Sequence, residues 1–224
     1  MTQLLIRADD VLRRRRWTTD NERPWASFVT LIWIVVFFGC VYGATMGSFG
    51  LTSIASLKQT CYSAIKVPML LGITFAISLP SFYVINMLLG LADEFRAAVR
   101  ALIATQAGIA IVLASLAPMT ALWYASTSRY ESAIAFNAVM FAIASLSGQW
   151  LMRRYYEPLI AKNPKHRLLL WAWIFVYALV GIQMGWILRP FIGSPETETQ
   201  FLRSEEWTNA YVMVAELLWR AVFR

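Results

Sequence analysis

Residues 26–48 read ASFVTLIWIVVFFGCVYGATMGS, a stretch without a single charge. A hydrocarbon core roughly 30 Å thick takes about 20 apolar residues in a helix, so this run is read as a membrane span. Four more uncharged runs follow, at 67–91 with Lys66 on its edge, at 101–128, at 132–152 and at 168–188. Each is bounded by charges or by a Pro-containing segment, as expected where a span meets water. The expected fold is all-α, a polytopic transmembrane helical bundle of five spans over 26–190. A cytoplasmic basic segment, 1–25, precedes it, and an extracytoplasmic connector with an amphipathic C-terminal helix, 191–224, follows it.

Composition supports the same class. Of 224 residues, 58% are hydrophobic and 15% charged, whereas a soluble domain carries about 25% charged residues. One histidine, His166, and two cysteines, Cys40 and Cys61, are too few for a His/Cys metal cluster, bis-histidine haem or a disulfide scaffold. No G-x-S-x-G, H-E-x-x-H, P-loop or G-x-G-x-x-G pattern occurs. An enzyme is not expected, nor any metal or cofactor.

Five spans put the termini on opposite sides, and the basic residues choose between them. Thirteen Lys and Arg fall before span one, after span two and after span four, against seven on the other side. By the positive-inside rule the N-terminus is cytoplasmic and the C-terminus extracytoplasmic. Trp25, Trp123, Trp150, Trp171 and Trp186 lie near span ends, where an indole buries its ring and keeps its N–H at headgroup level. The compact loops suggest a bacterial inner membrane. The basic start followed by an apolar run has the outline of a secretory signal, and Phe37-Phe38-Gly39-Cys40 that of a lipoprotein cleavage site, but the run is too long for a signal and is expected to be retained. Arg13 to Arg16 satisfy the positive-inside rule without invoking nucleic acid, which is not expected as a partner.

Outside the spans, Leu4, Leu5, Val11, Leu12 and Trp17 alternate with charges, which fits either a short helix on the cytoplasmic interface or an unstructured tail. From Ser204 onward, Trp207, Tyr211, Val214 and Leu218 recur at helical spacing behind a plausible Ser204 N-cap. Glu216 and Arg220 argue against a sixth span, since each central charge costs about 2.5 to 3.5 kcal/mol on insertion scales. That stripe is read as a docking face for lipid or another protein.

Two sets of residues inside the spans are candidates for function. Gly39, Gly43 and Gly47 share nearly one helix face and permit close backbone approach, either to a neighbouring span or to a partner subunit. Gly181 and Gly185 repeat the spacing once, which suggests a pairing of spans one and five. Span two contains Pro68 and Pro80, expected to kink it, together with Lys66, Ser78, Ser81 and Asn86. Broken helices with polar groups are how transporters build mid-membrane sites, so these six residues form a candidate pathway. The alternative is that Lys66 snorkels to the outer interface and the serines satisfy freed carbonyls. Gln106, Asn137, Gln149 and Gln183 are expected to join helices by hydrogen bonds; Arg189-Pro190 should end span five with Arg189 as an anchor; His166 is expected in a solvated loop.

The stretch from Lys66-Val67-Pro68-Met69-Leu70-Leu71 through Leu79-Pro80-Ser81-Phe82-Tyr83 to Leu88-Leu89-Gly90, with the glycine-rich end of span one before it, resembles Yip1-type membrane proteins. The resemblance implies a non-enzymatic protein that works through membrane partners. The expected role is a scaffold or accessory subunit of a larger membrane complex, with other membrane protein subunits, lipid or a second copy as partners. The alternative is a small pore or carrier running along span two.

Overall fold

The computed structural model describes residues 2–19, 24–50, 54–193 and 199–202. Among these residues five helices are long and apolar enough to cross a membrane, and no strand occurs. In chain order the helices are α1 Thr2–Leu12, α2 Arg16–Thr19, α3 Pro24–Gly47, α4 Ile54–Leu88, α5 Phe95–Ser126, α6 Tyr130–Lys162 and α7 Lys165–Ile187, with a 3-10 turn at Ala92–Glu94 leading into α5. The protein is an all-α, multi-pass bundle.

The helices outrun the expected spans. α4 begins at Ile54 and not at Val67, and α6 continues past Met152 to Lys162. Hydropathy marks where lipid ends, but a helix continues wherever its backbone bonds are made internally. The 35 residues of α4 reach roughly 50 Å, well beyond a hydrocarbon core. Both Pro68 and Pro80 lie inside it.

Local chemistry sets the ends. Pro24 opens α3 at the first helical position, where its missing N–H is no loss. After α4, Gly90 takes a positive φ of 74°; its amide reaches the Met87 carbonyl and the Leu91 amide reaches that of Asn86, the paired bonds of a Schellman stop. The two residues between α6 and α7 include Asn163, whose Oδ1 accepts the Lys165 amide at 3.1 Å.

Around the bundle the order is α6, α5, α3, α4, α7: α3 packs along both α4 and α5, α5 along α6, and α4 along α7. α5 is the most enclosed, with 72% of its apolar window buried against 22–39% in the other four. Its buried alanines, among them Ala98, Ala101, Ala104, Ala107 and Ala110, let neighbours approach closely. We call the end holding α1, the α4–α5 turn and the α6–α7 turn the near end, and the opposite end the far end.

α1 is a helix docked on the near end of the bundle and does not trail as a tail. Ala8 and Val11 are buried, and the Tyr155 hydroxyl donates to the Val11 carbonyl at 2.8 Å. Arg13 stays outside, bound to Asp9 at 2.7 Å, which holds its guanidinium above the ordinary value. The C-terminal stripe of Trp207, Tyr211, Val214 and Leu218 lies outside the described residues.

Candidate functional site

The glycine face of α3 is consumed inside the molecule. A Cβ on Gly43 would stand 2.9 Å from the Ala64 Cα, one on Gly47 2.8 Å from the Thr60 Cα, and one on Gly39 3.2 Å from the Pro68 side chain. All three face α4, so the expected pairing of spans one and five is replaced by spans one and two. The short link between α3 and α4 makes them antiparallel neighbours, and small Thr60, Ser63 and Ala64 provide the matching surface. Gly181 instead faces Thr74 of α4, and Gly185 has open space around it. Two glycines outside any spaced pattern do similar work between α5 and α6: Gly108 receives the Leu151 side chain, and Gly148 receives Ile109, whose Cδ1 lies 2.7 Å from where a Cβ would sit. Single glycines carry no periodic signal, so sequence reading passed over them.

With α3 and α7 against it, α4 turns its polar side chains inward. Gln59, Ser63, Lys66, Thr74, Ser78 and Asn86 are all buried. Their spacings of three, four and eight residues make a stripe that winds slowly round the helix. Ser81 and Pro80 are exposed, so the candidate pathway residues divide between buried and exposed positions. Ser78 donates to the Thr74 carbonyl at 2.7 Å. The side-chain amide of Asn86 and the hydroxyl of Thr74 are buried without a partner.

The far half of the stripe grips the chain that follows α7. Lys66 Nζ donates to the Pro190 carbonyl at 2.7 Å, Gln59 Nε2 lies 3.2 Å from the carbonyls of Pro190 and Phe191, and Ser63 also donates to Phe191. Tyr130 of α6 reaches the Ile192 carbonyl at 3.4 Å. Residues 189–193 thus form a strap across the far end. Lys66 is wholly buried and does not snorkel. Phe201 covers its ammonium at 5.1 Å, and among the described residues no carboxylate lies within ion-pair distance. Arg189 stacks on Trp186, its guanidinium 3.3 Å from the ring centre.

Amides and phenols cross-link the remaining helices. Tyr42 of α3 donates to Asn137 Oδ1 at 2.9 Å, Asn137 Nδ2 donates to the Tyr124 hydroxyl at 2.6 Å, and Tyr124 donates to the Met46 carbonyl at 3.1 Å. Tyr177 of α7 donates to Gln106 of α5 at 2.7 Å. At the near end Glu94 sits 2.6 Å from Lys162 and 2.8 Å from His166, tying three chain segments together. His166 is therefore a buried residue of the α7 start, not a solvated loop residue.

The packing leaves a seam open between α6 and α7, and a smaller hollow of about 370 Å³ between Trp25, Phe28 and Leu31 of α3 and Phe95, Val99 and Ile103 of α5. At the far end a cavity of about 580 Å³ lies between Asn137, Ala138 and Phe141 on one side and Trp186 and the strap on the other, with Met46 and Leu70 behind. At the near end a cavity of about 480 Å³ lies between Arg153, Arg154 and Ile160 of α6 and Arg167, Leu170 and Ile174 of α7. Neither holds a nucleophile beside a base; both are shaped to receive apolar or amphiphilic matter. No family model, curated protein or solved structure matches the chain.

Proposed function

We propose that this protein is a non-catalytic accessory or scaffold subunit of a membrane complex, set in a bacterial inner membrane with its near end in the cytoplasm. The observation that carries the reading is the α6–α7 seam. Between α6 and α7 the far end keeps a largely apolar hollow of about 580 Å³, bounded by Ile134, Ala138 and Phe141 on one side and Trp186 and the strap on the other. In lipid, helix association depends on close packing and interhelical hydrogen bonds, so an unfilled seam offers a partner helix the contacts the bundle itself has not made. The glycine face is no longer a candidate for docking, because α4 already covers it.

The test is gentle extraction of the native assembly, with mass determination and identification of co-migrating subunits, alongside an Ala138→Trp variant. Ala138 lines the seam and is exposed, so a bulky side chain there fills the gap without entering the core. Stoichiometric foreign subunits that disappear in the variant support the role. A pure homo-oligomer, or a partner indifferent to Ala138→Trp, overturns it.

A second reading, a small carrier along α4, is favoured by one observation: Asn86 and Thr74 are buried polar groups with no partner, an arrangement costing about 1–3 kcal/mol per group unless water or a solute satisfies it. Single cysteines at 78 and 86 that react with a polar thiol reagent in intact membranes, while one at 81 does not, would support it; silence at both positions removes it.

A further inference from the structure

We propose that the near-end mouth of the α6–α7 seam binds the phosphate headgroup of an anionic phospholipid. Three guanidiniums, those of Arg153, Arg154 and Arg167, line this cavity of about 480 Å³. Its one carboxylate, Glu157, stands at the rim with a side chain 77% exposed, 3.8 Å from Arg14 of the docked N-terminal segment. Among the described residues none of the three arginines has an acidic partner. Three like charges round one hollow repel each other unless an anion enters, and guanidinium is the group best suited to grip phosphate by paired hydrogen bonds.

Two of the three arginines lie against indoles: the Arg154 guanidinium is 4.8 Å from the Trp150 ring and that of Arg153 is 5.9 Å from Trp171, while Arg14 donates to the backbone carbonyl of Arg154. Trp150 and Trp171 mark headgroup depth. Below them the lining turns apolar, with Leu170 and Ile174 leading into the bilayer. A charged mouth over an apolar floor matches an amphiphile, not a soluble anion, and basic pockets between spans are a known kind of headgroup site. A neighbouring hollow holds Arg13, Arg14 and Arg15 and shares Arg154 with the mouth, but there Arg13 is bound to Asp9 and Arg15 lies 3.9 Å from Asp10, so its charge is partly answered. The mouth is the unanswered one, and it lies apart from the far-end portion of the seam offered to a partner.

The full chain would be placed in nanodiscs of phosphatidylcholine, with and without phosphatidylglycerol, and compared with an Arg153→Gln, Arg167→Gln double variant and an Arg129→Gln control at the far end. The expected result is a higher unfolding temperature and retained phosphatidylglycerol in native mass spectra for the wild type and the control, both lost in the double variant, with all three alike in phosphatidylcholine alone. Equal behaviour in the two lipids overturns the proposal. So does an unchanged lipid preference in the double variant, which would mean general surface attraction. If inorganic phosphate added to phosphatidylcholine discs reproduces the shift, the site binds a soluble anion and the lipid assignment fails.

Discussion

The ammonium of Lys66 and the carbonyl of Pro190 meet at 2.7 Å across 124 positions of sequence, and this bond anchors the strap that closes the far end of the bundle. A hydrogen bond to a charged group contributes about 1.5–3 kcal/mol, but the buried ammonium is desolvated and its only described company is carbonyl oxygen and the Phe201 ring. The two effects oppose each other in global stability, while the bond itself tethers the strap to α4. Lys66→Met is therefore expected to leave the unfolding temperature little changed while amide exchange of residues 191–193 rises. Global unfolding with an unaltered strap would show that Lys66 supports the core and not the strap.

Glycine substitutions should separate by face. Gly43→Leu drives a side chain into the backbone of Ser63 and Ala64, and overpacking typically costs about 1–3 kcal/mol, more where backbone must move. Gly185→Leu meets open space and should be neutral. Thermal unfolding in detergent of the two variants measures the difference; equal effects would contradict the α3–α4 contact.

Asn137 sits between two phenols from different helices, so Asn137→Leu removes two interhelical bonds at once. The expected loss is roughly 1–2 kcal/mol, toward the upper range for such bonds in membranes. Tyr42→Phe should cost less, since Asn137 keeps its bond to Tyr124 and Tyr124 its bond to the Met46 carbonyl. Equilibrium unfolding in mixed micelles would show the order, and a larger effect for Tyr42→Phe would refute this account of the network.

At the near end the two partners of Glu94 are unequal. Lys162 is 68% exposed and its loss should matter little, because a solvated ion pair is screened. His166 is fully buried, with its other ring nitrogen already unpartnered, so Glu94→Ala leaves the imidazole without any hydrogen bond. Glu94→Ala is expected to lower the unfolding temperature clearly more than Lys162→Ala, and the reverse ranking would place the stabilising contact at the surface.

The orientation is testable with single cysteines at exposed turn positions in a background lacking Cys40 and Cys61. With the near end cytoplasmic, a cysteine at Lys165 should be silent to a membrane-impermeant reagent in intact cells, and one at Ser128 should react. The opposite pattern inverts the topology.

The sequence by itself determined the class of fold and the rough place of every span, because lipid imposes a one-dimensional rule: backbone polar groups must be satisfied within each segment, so uninterrupted apolar length is enough to identify a helix. It also picked out Gly39, Gly43 and Gly47 as a packing face and Asn137 and Gln106 as cross-links, since small residues and buried amides have few other uses in a bilayer. What it left open was which surfaces meet. The partner of the glycine face is α4 and not α7; Lys66 turns inward to a carbonyl far along the chain; Ser78 and Ser81, three residues apart, fall on opposite sides of burial; and His166 is enclosed by the start of α5. None of these follows from composition or period, because between helices in lipid no hydrophobic gradient selects a neighbour. Shape fit and individual hydrogen bonds decide it, and these exist only once the helices are side by side. The seam between α6 and α7 belongs to the same category, being a place where that fit was not completed.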